Sequence, residues 1–318
     1  MPTKTKAAYY TKFGGIENLH IGSIDLPAVG EGEVRLRVKA AGINPVDSAV
    51  REGHFLAVVP VEFPVVPGWD VAGVVEECGH GASRFKKGDE VYGYIRRPVA
   101  QHGSFAEEIV VPECYLTLRP KKLKWAEAGG LPLAGLTAYQ SLFTAGKLAK
   151  GETVLILGAS GGVGGTAIQL ARHAGATVIA VASAKSARHM KKLGAQHTID
   201  YEAGPVAEAV AKIAPAGIDL LFDAISGDTL LKSIAALKPK GRLISVLNDG
   251  TALKLPRGVR FAHVMAQPSV PNLDHLRELA DAGHLKVPVA ATFPLTETGQ
   301  AFEQIESKHT TGKVVIIP

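Results

Sequence analysis

Polar and apolar residues alternate along Val34-Arg35-Leu36-Arg37-Val38-Lys39-Ala40, the period-two pattern of a strand with one buried face. Residues 71–75 and 107–111 are similar short runs. Turn residues at Gly30-Glu31-Gly32, Pro67-Gly68 and Lys87-Gly88-Asp89 separate them. Several short strands with little helix predict a barrel-like all-β module. The pattern changes near Trp125. Residues 126–146 carry apolar positions at mixed helical spacing and predict helix. Thr153-Val154-Leu155-Ile156-Leu157 is then continuously apolar, as suits a strand buried on both faces. Further strands are predicted at residues 177–182, 218–222 and 242–246, with helices at about 166–173, 186–193 and 229–237 between them. This βαβα order predicts a doubly wound parallel sheet. A helix at about residues 273–282 leads back to β-like sequence, and Lys313-Val314-Val315-Ile316-Ile317 predicts a terminal strand paired with the first module. The expected division is therefore residues 1–122 with 272–318, and 123–271.

Glycine is the compositional anomaly: 35 residues in 318, above the usual roughly 7%. The densest run, Gly158-Ala159-Ser160-Gly161-Gly162-Val163-Gly164-Gly165, follows the buried strand and opens a helix. Read as a dinucleotide fingerprint, Ala159, Gly161 and Gly164 take its three small positions. These serve the tight turn, the backbone approach to pyrophosphate, and close helix–strand packing. The loop residue Ser160 and the free N–H groups and dipole of the helix start, from Gly162 and Val163 on, would hold the phosphates. The same residues spell Gly-x-Ser-x-Gly through Gly158, Ser160 and Gly162, the nucleophile elbow of α/β hydrolases, and Asp223 and His263 follow in hydrolase order. No His-Gly-Gly oxyanion loop precedes it, and the first 120 residues read as separate β structure. Dinucleotide binding is the expectation, with hydrolysis through Ser160 its remote rival.

About 20 residues past the loop, NAD enzymes carry an acid for the ribose 2′-hydroxyl. Ser183 stands there, with Lys185 and Arg188 after it. A hydroxyl and two cations suit a 2′-phosphate, so the expected cofactor is NADPH. Loops after Phe222 and Val246, holding Asp223, Ala224, Ile225 and Leu247, are expected to border the dinucleotide at the carboxyl edge of the sheet.

Charge and cysteine narrow the remaining classes. A net charge of +5 is spread thinly, and the densest basic cluster, Lys121-Lys122-Leu123-Lys124, is too short to predict a nucleic-acid partner. Two cysteines, Cys78 and Cys114, make neither a disulfide framework nor a Cys-rich zinc site. The N-terminal residues show no hydrophobic signal core, and no apolar run approaches the roughly 20 residues that span a bilayer. A cytoplasmic protein without membrane partners is the expectation.

The motifs Ala41-Gly42-Ile43-Asn44-Pro45-Val46-Asp47, Pro67-Gly68-Trp69-Asp70-Val71-Ala72-Gly73 and Gly135-Leu136-Thr137-Ala138-Tyr139 join the glycine loop in one resemblance. So do Phe222-Asp223-Ala224-Ile225-Ser226-Gly227 and Gly312-Lys313-Val314-Val315. Over nearly its whole length the chain resembles the medium-chain dehydrogenase/reductase superfamily, in its zinc-free quinone oxidoreductase branch. The resemblance implies a GroES-like β-barrel catalytic domain and a Rossmann cofactor domain. It also implies hydride transfer from NADPH to a quinone or an α,β-unsaturated carbonyl. An acyl-CoA or polyketide enoyl reductase and a non-enzymatic NADPH-binding regulator are the alternatives. It implies that Thr137 packs beside the nicotinamide and Tyr201 near the adenosine ribose and its phosphate. Zinc-dependent relatives carry Cys, His, and Cys or Asp where this chain has Asn44, Trp69 and Leu133. These side chains lack the groups zinc needs, so no metal is expected. Asn44 is then the candidate donor to the acceptor oxygen, with a turn-forming role before Pro45 as its competitor. Asp47 is expected to be structural or to pair with Arg51; Trp69 and Tyr139 are expected to pack, with lining the nicotinamide pocket as the alternative. Relatives often carry Tyr where this chain has Ala49, so the proton donor is not assigned. Family members commonly dimerise edge to edge, and residues 259–264 are the candidate edge strand.

Overall fold

The computed structural model describes residues 3–318. The chain divides into two compact units, residues 1–133 with 268–283 and 287–318, and residues 134–267 with 284–286.

The first unit is built on the long strand Glu33–Ile43. Asp70–Cys78 pairs along one side of it; Glu108–Pro112 and then Lys313–Ile317 share the other, all antiparallel. Glu90–Tyr94 and Leu116–Leu118 extend the sheet at one end and Val289–Pro294 at the other. The alternation seen in the sequence holds through Val34, Leu36 and Val38, whose side chains enter the core. It stops at Ala40, beyond which every residue to Ile43 is buried. The cause is the helix Trp125–Gly130, laid against the strand's second face. A Cβ on Gly42 would lie 2.7 Å from Gly129 O, and one on Gly129 would lie 2.7 Å from the Ala40 Cβ. Only glycine lets the two backbones approach this closely. The terminal strand pairs with the first β module, as its sequence predicts.

The second unit carries six strands, all parallel, in the order His197–Asp200, Thr177–Ala182, Thr153–Leu157, Ile218–Asp223, Leu237–Ser245 and Arg260–His263. The third strand in chain order ends one half and the sixth ends the other. The order therefore reverses between Thr153–Leu157 and Ile218–Asp223, the switch point at which such sheets bind ligands. Arg260–His263 forms one edge, as expected of residues 259–264. The predicted helix at 126–146 is three pieces: Trp125–Gly130, Pro132–Tyr139 and a π-helical turn, Gln140–Ala145. Pro132 lacks the N–H needed to continue a helix but fits the first turn of a new one.

Candidate active site

Five segments singled out in the sequence leave the carboxyl ends of five neighbouring parallel strands in the second unit. They are the glycine loop, Ser183, Tyr201, Ala224-Ile225 and Val246-Leu247. Parallel pairing points every strand the same way, so residues from 158 to 247 converge on one edge.

Within the glycine loop, each small residue has a distinct duty. Gly158 adopts φ +72°, and a Cβ there would meet the Ile225 Cγ2 at 2.6 Å, so the loops on either side of the switch point touch. Ala159 is fully buried, and its N–H donates to Val181 O at 3.1 Å. A Cβ on Gly164 would sit 2.3 Å from Gly158 O, which fixes the helix against the turn. Gly161 differs: a Cβ there meets nothing closer than Gly158 O at 3.6 Å. The ground before it, at the start of the helix Gly162–His173, is open. The N–H groups of Gly162, Val163 and Gly164 lie in that first turn, with no intrahelical acceptor. This cradle fits a pyrophosphate.

Ser183 precedes the short 3-10 turn Ala184–Ser186, and its hydroxyl caps nothing. Lys185 and Arg188 are exposed and enter no ion pair among the described residues. Tyr201 is 44% exposed on the adjacent strand end, where Ala182 registers with Asp200. Thr137 is buried in Pro132–Tyr139 and makes no side-chain hydrogen bond among the described residues. Ile225 and Leu247 are exposed apolar residues at the loop tips.

Asp223 departs from its expected place on the rim. It is fully buried, and its carboxylate accepts from the N–H groups of Ile225 and Ser226 and from the Ser245 hydroxyl at 2.6 Å. Ser245 Oγ in turn accepts from the N–H groups of Leu247 and Asn248. The pair ties two rim loops together, so Asp223 shapes the rim from beneath. Sequence reasoning missed Ser245. This geometry also removes the hydrolase reading. His263 registers with Ser245, which registers with Asp223, which registers with Leu157. His263 thus stands three strands, about 14 Å, from the strand that carries Ser160. The Asp223 carboxylate is already committed elsewhere.

The first unit holds a second cluster, around Asn44. Asn44 caps the helix Pro45–Arg51, and its backbone N–H donates to Asp47 Oδ2 at 2.8 Å. Its side-chain Nδ2 donates to Asp70 Oδ2 at 2.9 Å, and its Oδ1 accepts from the Lys313 ammonium. Lys313 also donates to Ile43 O at 3.0 Å, and Asp70 Oδ1 accepts from the Leu133 N–H at 2.7 Å. All four side chains are buried. Burial pushes the Asp47 carboxyl up to about 7 and Asp70 up to about 6, and it lowers the Lys313 ammonium against the pull of Asp70. Asp47 does not pair with Arg51, as its neighbourhood in sequence suggested. Arg51 reaches instead to Glu52 and to Glu306 at 2.9 Å, and its guanidinium lies over the Phe302 ring. Trp69 packs against Tyr94 and Phe55, and Tyr139 against Phe143, as expected. Zinc does not fit here. Asn44 and Asp70 are spent on Lys313, on Leu133 and on each other, and the positions offer neither thiolate nor imidazole.

Residues 30–121 match the alcohol dehydrogenase GroES-like domain family, and residues 193–316 match a family described as zinc-binding dehydrogenase. An NADPH-dependent alkenal/one oxidoreductase of Arabidopsis thaliana, chloroplastic by name, is 36% identical over 100% of this chain and 81% of its own length. The chain belongs to the medium-chain dehydrogenase/reductase superfamily. It falls in the quinone and enone reductase branch and is an oxidoreductase. A 2-methylene-furan-3-one reductase of Solanum lycopersicum is 35% identical over 100% of this chain and 80% of its own. The quinone oxidoreductase of Coxiella burnetii superposes with a TM-score of 0.90 at 29% identity, over 99% of this chain and all of that one. This chain has the GroES-like domain and the parallel-sheet Rossmann domain of that superfamily. No helix among the described residues is long and apolar enough to cross a membrane. The chloroplastic relative lends the cytoplasmic expectation no support.

Proposed function

We propose that this chain is a zinc-independent reductase that passes hydride from NADPH to a quinone or an α,β-unsaturated carbonyl. The observation that carries the reading is the open cradle before Gly161, at the free start of the helix Gly162–His173. The nicotinamide, when bound, supplies the hydride. The chain's own part is to hold and to polarise. The N–H groups from Gly162 to Gly164 take the pyrophosphate, while Ala159 and Gly164 keep the turn narrow enough to present them. Ser183, Lys185 and Arg188 receive the 2′-phosphate beside Tyr201, and Ala224, Ile225, Val246 and Leu247 form the rim. Thr137 offers a hydroxyl with no partner of its own to the nicotinamide side. Asn44 donates to the acceptor oxygen as charge develops there. Two chains join through the exposed edge of Arg260–His263, which extends the sheet and covers that edge strand.

The reading is tested by following NADPH oxidation against a panel of quinones, alkenals and enones, with and without prolonged chelation. Turnover of at least one class, unchanged by the chelator, is expected. NADPH binding without turnover anywhere in the panel would reassign the chain to cofactor sensing, and activity lost on chelation would restore the metal.

Cofactor choice follows from the charges at the end of Thr177–Ala182. A charge-assisted contact contributes roughly 1.5–3 kcal/mol. NADPH is therefore expected to bind at least about tenfold more tightly than NADH. Ser183→Asp reverses the preference by repelling the phosphate and accepting from the ribose. Lys185→Ala weakens NADPH alone. Calorimetric titration of both cofactors checks this, and equal wild-type affinities would move the phosphate site elsewhere.

A further inference from the structure

Asn44 is bracketed by two partners that cannot exchange roles. An ammonium has hydrogens to donate and no lone pair to offer; a carboxylate accepts and does not donate. Lys313 Nζ therefore holds the amide oxygen, while Asp70 Oδ2, 2.9 Å away, holds the amide nitrogen. The opposite flip would set the amide hydrogens against Lys313 and the oxygen against Asp70. The amide has no such freedom. Asp70 is itself pinned through Oδ1 by the Leu133 N–H, and Lys313 by Ile43 O. The group is 4% exposed at Asn44, 0% at Asp70 and 5% at Lys313, so water does not compete for these bonds.

The second donor is only weakly engaged. Asn44 Nδ2 carries two hydrogens, and apart from Asp70 its nearest acceptor is Gly42 O at 3.5 Å, the outer limit of a hydrogen bond. That hydrogen belongs to an amide whose oxygen rests on a buried cation. Electron density drawn toward Lys313 strengthens the remaining N–H as a donor, by the mutual polarisation of linked hydrogen bonds.

We propose that Lys313 is a positioning residue for hydride transfer: with Asp70 it fixes the Asn44 amide in one orientation and polarises its weakly held second N–H for donation to the acceptor oxygen. This rests on the reading that Asn44 is the donor to that oxygen. The ammonium then acts through one amide to stabilise developing negative charge. It touches no substrate.

The test is a double-mutant cycle on single-turnover hydride transfer at saturating NADPH and saturating enone, using wild type, Asn44→Ala, Lys313→Met and the double variant. Removing one oxyanion donor costs about 10²–10³ in rate. Asn44→Ala is expected to slow transfer by about that much, and Lys313→Met by about 10- to 100-fold, a partial loss of the same donor. Both should leave NADPH affinity unchanged. In the Asn44→Ala background, Lys313→Met should then slow transfer by less than about twofold, because the residue it acts through is gone. Lys313→Arg, also donor-only, should recover most of the rate. Since Lys313→Met leaves the Asp70 carboxylate unpaired, the same measurement on Asp70→Asn/Lys313→Met removes both charges and guards against a merely unfolded variant. Asn at 70 no longer dictates the flip, so the rate loss should persist in a protein with wild-type thermal stability. Multiplicative losses from Asn44→Ala and Lys313→Met, or a wild-type rate in a stable Asp70→Asn/Lys313→Met variant, would overturn the proposal. A wild-type rate in Asn44→Ala would instead overturn the donor role of Asn44.

Discussion

Gly164→Ala is expected to destabilise the protein by about 3 kcal/mol or more, while Gly161→Ala, three residues earlier, leaves stability within about 0.5 kcal/mol and weakens NADPH at least tenfold. The two glycines share one loop and differ in what stands before them. A methyl on Gly164 falls 2.3 Å from Gly158 O and 2.6 Å from the Ala159 Cα. Both are backbone atoms of a turn held by the bond from Ala159 N–H to Val181 O. Neither can rotate aside, so the helix must lift off the strand end, and the packing of Ala167 and Ile168 lifts with it. Gly161 has φ −77° and ψ 177°, which any residue adopts. Its methyl enters space that the protein leaves empty, and the loss falls on the pyrophosphate alone. Thermal melts with and without NADPH separate the cases. For a unit of this size the Gly164 variant should melt lower by at least about 5 °C, whereas the Gly161 variant should lose only the shift that NADPH confers. Unchanged NADPH binding in the Gly161 variant would remove the pyrophosphate from the loop.

That contrast also marks how far the sequence reaches. The strands Thr153–Leu157, Thr177–Ala182 and Lys313–Ile317 have the bounds their apolar runs predict, because continuous burial leaves little choice of residue. His197–Asp200 was not legible: a four-residue strand with one buried apolar side chain has no periodicity to read. The glycine loop was legible because its chemistry is local, and the three small positions lie within six residues of one another. The cluster around Asn44 was not. Asn44, Asp70 and Lys313 each stand in a recognisable motif, yet Lys313 lies 269 residues from the amide it holds. Only the strand that returns Lys313 to the end of Glu33–Ile43 brings them together. Of the two roles expected of Asp47, the structural one holds, and the pair with Arg51 is missing for a related reason. Proximity in sequence favoured it, but the fold offers Arg51 a carboxylate on Glu306, 255 residues away. Asp223 shows the same limit in reverse: its motif was plain, but its direction depends on a hydroxyl 22 residues later.

Stability should fall as pH rises from about 4 to about 7, and Asp47→Asn should remove most of that slope. Asp47 is buried at the first turn of Pro45–Arg51, where its carboxylate accepts from the Asn44 N–H. That bond and the Lys313 charge favour the ionised form, but desolvation outweighs them, helped by repulsion from Asp70, and the carboxyl titrates at about 7. In the unfolded chain it titrates near 3.8. Between the two values the folded protein holds a proton that the unfolded chain has released, so the unfolded state binds fewer protons and stability declines with rising pH. The full difference of about three units corresponds to a ceiling of about 4 kcal/mol. Asp70, raised to about 6 by the same burial, adds to the slope with the same sign. Asparagine at 47 keeps the shape and an oxygen for the Asn44 N–H, and carries no ionisable proton. Turning its NH2 toward the Gly68 N–H, which the carboxylate faces, imposes a cost, but that cost is independent of pH. The difference between wild type and variant is therefore the informative curve. Denaturant midpoints measured from pH 4.5 to 8 should show the wild type losing roughly 2–4 kcal/mol relative to the variant across the interval. Parallel curves would mean that Asp47 ionises in the folded protein as easily as in water, and that the buried cluster carries both carboxylates charged against Lys313 alone.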